Sequence, residues 1–74
     1  MRQYNEFIEI FKRDLVREQE NLRLYQRGEL RSTTLEADRW CDTTLIAIEQ
    51  TKQRITELRA RIIKYEKAQA EPAR

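Results

Sequence analysis

Thr44 to Gln69 reads TLIAIEQTKQRITELRARIIKYEKAQ, and within it Ile48, Thr51, Ile55, Leu58, Ile62 and Tyr65 recur at alternating steps of three and four residues. That spacing is a heptad seam, the mark of a helix that lays one stripe against a partner helix. Between the seam positions stand Glu49, Lys52, Arg54, Glu57, Arg59, Arg61, Lys64 and Glu66, which place charge on the watered side. Asp42, Thr43 and Thr44 precede the pattern and suit a helix N-cap, Asp42 or Thr43 best. The spacing predicts a helix over 43–68.

The N-terminal third carries a second seam. Tyr4, Ile8, Phe11, Leu15, Leu22 and Tyr25 step by three and four, with Glu18 where one more apolar residue would fall. A helix over 3–27 follows, and Gly28, the single glycine, is placed to close it in the left-handed conformation. Phe7, Ile10, Val16 and Leu24 widen the apolar stripe beyond what one partner helix covers.

Residues 28–42 show no clean period. Thr33-Thr34-Leu35-Glu36 has the form of a capping box and suggests a short helical turn. The alternative is an extended connection, with Leu30 to Ser32 pairing Arg39 to Cys41. An ordered loop is the preferred reading, its Leu30, Leu35 and Trp40 folded back over the helix ends, with Trp40 as a lid. Residues 71–74 hold the single proline, Pro72, and are expected to fray.

Together these elements give an all-α chain, one domain over 1–70, built as an antiparallel two-helix hairpin. Zipping the seams sets Leu22 near Ile48, Glu18 near Thr51 or Lys52, Leu15 near Ile55, Phe11 near Leu58, Ile8 near Ile62 and Tyr4 near Tyr65. Glu18 then reads as a polar layer that fixes register. Phe7, Ile10, Val16, Ile46 and Ile63 find no cover in a lone hairpin, so two hairpins packed face to face as a four-helix bundle are expected. The interaction seam comprises Phe7, Phe11, Leu15, Leu22, Ile48, Ile55, Leu58 and Ile62.

Composition points the same way. A chain of 74 residues buries little surface alone, and scaffolds below ~80 residues commonly add disulfides, a metal or a partner chain. With one cysteine, Cys41, and no histidine, neither an internal disulfide nor a structural zinc site is expected, which leaves oligomerisation. Cys41 reads as a small apolar residue rather than a redox switch, in a reducing, cytoplasmic setting. The chain lacks a phosphate-binding glycine loop, a nucleophile elbow and a Glu-x-x-His pair, so no enzyme, cofactor, metal or small-molecule substrate is expected. No window is apolar enough to span a membrane.

Charged residues form 38% of the chain at a net charge of +2, a balance that does not by itself call for nucleic acid. Arg23, Arg27 and Arg31 nonetheless follow one another at i, i+4, and a bundle face carrying them is the alternative reading, binding RNA or DNA phosphates. A homodimer is the favoured partner arrangement, and another helical protein is a third.

Phe11-Lys12-Arg13-Asp14-Leu15, Gly28-Glu29-Leu30-Arg31, Trp40-Cys41-Asp42-Thr43-Thr44 and Ile55-Thr56-Glu57-Leu58 follow one another in an order that resembles a set of short uncharacterised proteins of rhizobial alphaproteobacteria. The resemblance covers most of the chain and implies a helical hairpin. It implies no activity.

Overall fold

The computed structural model describes residues 4–70, and the expected helix start at Gln3 and the tail over 71–74 lie outside the described residues. Helix α1 spans Tyr4–Gln26, strand β1 Thr33–Glu36, strand β2 Arg39–Asp42 and helix α2 Thr44–Ala70. The molecule is an elongated hairpin, 58 × 26 × 16 Å. The two long helices match the expectation. The two strands between them correct the all-α assignment.

α1 ends as its glycine requires. Gly28 has φ of +76°, a conformation open to a residue without Cβ. The Gly28 N–H donates to the Tyr25 carbonyl at 3.1 Å and the Glu29 N–H to the Leu24 carbonyl at 2.9 Å. This pair of bonds is a Schellman closure, and it satisfies carbonyls that the last helical turn leaves open.

Thr33–Glu36 forms a strand where the capping-box pattern suggested a helical turn, and it pairs antiparallel with β2 as Thr33↔Asp42, Thr34↔Cys41, Leu35↔Trp40 and Glu36↔Arg39. The pairing therefore uses Thr33 to Glu36, not Leu30 to Ser32. Ala37 and Asp38 connect the strands, with φ of 49° and 63°, the positive values that a two-residue hairpin turn with right-handed strand twist demands at both positions. Asp tolerates this conformation, whereas Ala carries the Cβ penalty of about 1–2 kcal/mol. β-branched Thr33 and Thr34 on β1 and aromatic Trp40 on β2 favour the strands against it.

Leu35 and Trp40 sit opposite each other and are 53% and 72% exposed. Trp40 is thus not a lid. Cross-strand partners share one face of a sheet, and the face that holds this pair looks to solvent.

A polar clasp joins the hairpin to α2. The Thr43 N–H donates to the Ser32 carbonyl at 2.8 Å, and the Ala47 N–H to the Thr43 carbonyl at 2.9 Å, which makes Thr43 the cap residue. The hydroxyls of Ser32 and Thr43 lie 2.9 Å apart, and the Ser32 N–H reaches the Thr44 Oγ1 at 3.0 Å. Asp42 accepts from the Thr44 N–H at 2.9 Å and from its hydroxyl at 2.5 Å, and Arg31 pairs with the same carboxylate.

These contacts hold the Asp42 carboxyl below its usual pKa, chiefly through the Thr44 hydroxyl, then the Thr44 N–H, with Arg31 adding to them. A group whose pKa falls on folding stabilises the fold above its unfolded value, near 4, and loses that contribution as pH drops through the folded value. Acid titration from about pH 5 to pH 2 should accordingly weaken the native chain more than an Asp42→Asn variant, as read from the midpoint of thermal melts followed by circular dichroism. Parallel curves would show that the carboxylate contributes nothing.

The helix interface is narrow. Among the described residues the buried apolar side chains are Ile8, Ile55, Leu58 and Ile62, joined by Thr51 at 2% exposure. Thr51 lies inside the seam without an unmet hydroxyl because its Oγ1 donates to the Ala47 carbonyl one turn back, at 2.7 Å.

Candidate interaction surface

At the open end, away from the β-hairpin, the helices meet through aromatic rings. Tyr4, Phe7 and Phe11 step by three and four residues and so share a flank of α1. All three rings stack on Tyr65 of α2, with centroids 5.7, 6.0 and 5.4 Å away. The Arg61 guanidinium sits 5.9 Å over the Phe11 ring, within cation–π range. Phe7 remains 46% exposed. On the opposite flank Lys12 meets Glu66 at 3.2 Å, and the Gln69 Nε2 donates to the Asn5 Oδ1 at 2.6 Å.

The polar layer differs from the expected one. Glu18 bonds Arg54 at 3.3 Å, and its side chain is 14% exposed. Lys52 turns instead to Glu49 at 3.6 Å. Thr51 meets its needs within its own helix, and Glu18 is reached instead by Arg54, a long basic side chain that stays 52% exposed and keeps its head wet.

Of the expected seam residues, Ile55, Leu58 and Ile62 are buried, Phe11, Leu15, Leu22 and Ile48 are half-buried, and Phe7 stands at the margin. Ile10 at 46%, Ile46 at 59%, Ile63 at 65% and Val16 at 65% lie outside the interface. Leu45 on the first turn of α2 is exposed too.

Arg23, Arg27 and Arg31 are each matched by an acid: Glu20, Glu29 and Asp42 respectively. Arg23 also borders a shallow groove of about 420 Å³ between the helices, with Leu22, Lys52, Ile55 and Arg59. Along the helix surfaces the i, i+3 pairs Asp14 with Arg17, Glu20 with Arg23 and Glu49 with Lys52 form. Pairs of this kind on a wet surface contribute little to stability.

Cys41 is half-buried on β2, and its thiol points to the Arg39 carbonyl at 3.9 Å. Among the described residues no cluster of His, Cys, Asp and Glu is arranged to hold a metal ion, and no helix is long and apolar enough to cross a membrane. Comparison with protein-family models, with curated proteins and with solved structures finds no match to this chain.

Proposed function

We propose that this chain is a small structural or protein-interaction module whose helical hairpin self-associates, two copies forming a four-helix bundle, with no chemistry of its own. One observation carries the reading: the hairpin buries four apolar side chains among its described residues while Phe7, Ile10, Ile46 and Ile63 stay 46 to 65% exposed. Scattered exposed apolar residues are ordinary on a protein surface, but among the described residues nine large apolar side chains are exposed against four that are buried.

Nucleic-acid binding is the weaker reading, because the arginines that suggested it are already neutralised by neighbouring acids. Light scattering on a sizing column across a tenfold dilution tests the proposal, with helicity followed in parallel. A mass of twice the chain's 9.0 kDa with helicity retained is the expected result. A well-folded monomer at every concentration would overturn it.

A further inference from the structure

The β-hairpin is held from its base rather than from within. Every strand residue but Cys41 is exposed, so neither face of the two-stranded ribbon covers a core, and an isolated ribbon is marginally stable at best in water. Its turn sets Ala37 and Asp38 at φ of 49° and 63° with no glycine to take either position. The clasp does the holding. The Thr43 N–H bonds the Ser32 carbonyl, the Ser32 N–H bonds the Thr44 Oγ1, and Asp42 is bonded by Thr44 and Arg31.

The same residues carry the marks of a helix. The heptad count of α2 runs through Ile48, Thr51, Ile55, Leu58, Ile62 and Tyr65, and the same alternating steps carried back from Ile48 land on Thr44, Cys41 and Ala37. Ahead of them Thr33 and Glu36 stand at the two ends of a capping box. Neither glycine nor proline interrupts the chain between Thr33 and Thr44, so nothing in the segment breaks a helix.

We propose that residues 33–43 are a two-state element: the β-hairpin, and a helical form in which Thr33 is the cap and 34–43 continue into Thr44–Ala70 as one helix. The switch is a property of a single chain and does not rest on the self-association reading. Each form has its own contacts. The hairpin keeps the paired register Thr33↔Asp42 to Glu36↔Arg39 and the clasp. The helical form relieves both positive φ values and gives the backbone an unbroken helical ladder in exchange. Two packings of one segment with such balanced terms are the basis of fold switching.

The helical form also reaches into the end of α1. Thr33 would stand about 17 Å of helical rise beyond Thr44, and the connection from Gln26 to Thr33 spans roughly 23 Å only when extended. The Glu29 and Leu30 amides must therefore leave the Leu24 carbonyl that they now share. The cap of α1 and the start of α2 thus change together. Thr44, Cys41 and Ala37 then carry the seam past the end of α1 at Gln26, where α1 cannot cover it, so this stripe exists in one state and is absent from the other.

Asp38→Ala tests the switch without touching the clasp. It puts a second Cβ penalty into the turn and a better helix former into the segment, and should raise the ratio of helix to hairpin about tenfold. Backbone chemical shifts over 34–43 report the result. Shifts moving toward helical values, with the Glu29 amide moving too, are expected. Strand values retained, or random-coil values in a variant whose α1 and α2 are intact, would overturn the proposal, the second because the hairpin would then melt with no other state to enter. Should Asp38→Ala fail to fold, saturation-transfer exchange on the native chain decides the matter. A minor state of roughly 1–10% with helical shifts at Ala37 and Cys41 is expected there, and it should vanish when Ala37→Asn and Asp38→Gly together give the turn the pair it favours. No minor state, or one with coil shifts, would overturn the two-state reading.

Discussion

Ile55→Ala is expected to unfold most of the chain at ordinary temperature. Ile55 is 6% exposed, lies in the middle of α2 (Thr44–Ala70) and borders the inter-helix groove beside Leu22. Removing its outer carbons forfeits their transfer free energy and leaves a void that two long helices cannot readily close, a combination that costs about 2–5 kcal/mol. Small domains hold roughly 0.05–0.15 kcal/mol per residue, so a chain of 74 residues has little beyond that to lose. Ile55→Val, which leaves the branched stem in place, should cost no more than about 1.5 kcal/mol. Denaturant unfolding followed by helicity separates the two. An Ile55→Ala midpoint equal to that of the native chain would show that the helices do not meet along this stripe.

Tyr65→Ala should be the next most damaging change, although the residue is only half-buried. One ring serves three partners, Tyr4, Phe7 and Phe11, and its loss removes the last large contact before the open end. Truncation of a buried aromatic costs about 3–5 kcal/mol, and partial exposure lowers this to about 2–3 kcal/mol. Tyr65→Phe keeps the stack and should melt close to the native chain. Tyr65→Leu keeps bulk but not ring geometry and should fall between. The near-ultraviolet circular dichroism of the aromatic cluster provides an independent reading, since it should collapse in Tyr65→Ala and persist in Tyr65→Phe. Equal stability of the alanine and phenylalanine variants would mean that the stack contributes nothing.

The helices were legible because a buried stripe leaves a period behind. Ile55, Leu58 and Ile62 could be found by counting threes and fours, and Gly28 announced its own φ. The β-hairpin was not legible for a physical reason. Its turn, Ala37-Asp38, adopts two positive φ values without the Asn-Gly or Asp-Gly pair that normally signals them, and four-residue strands are too short for alternation to stand out. Thr33-Thr34-Leu35-Glu36 also satisfies the capping-box pattern, so the local signal pointed to the wrong element. Trp40 misled through size, because a large aromatic suggests burial. Its strand places it opposite Leu35, and cross-strand pairing rather than hydropathy sets which way it faces. Glu18 was correctly marked as a break in the seam, but its partner depends on how the flank opens, and no spacing rule distinguishes Lys52 from Arg54.

The clasp of Ser32, Thr43 and Thr44 bears on the order in which the molecule assembles. Ser32 and Thr43 are 11 residues apart, Glu18 and Arg54 are 36 apart, and Asn5 and Gln69 are 64 apart. Closing a long loop from an open chain is entropically dearer than closing a short one. With the clasp and hairpin formed first, each further layer of α1 on α2 extends an existing enclosure by a single turn. Assembly is therefore expected to run as a zipper from the closed end, with the aromatic end opening before the clasp in reverse. Amide protons near Tyr4 and at the end of α2 would thus exchange through short-lived local openings, while those around Ile55 wait for the whole chain to come apart.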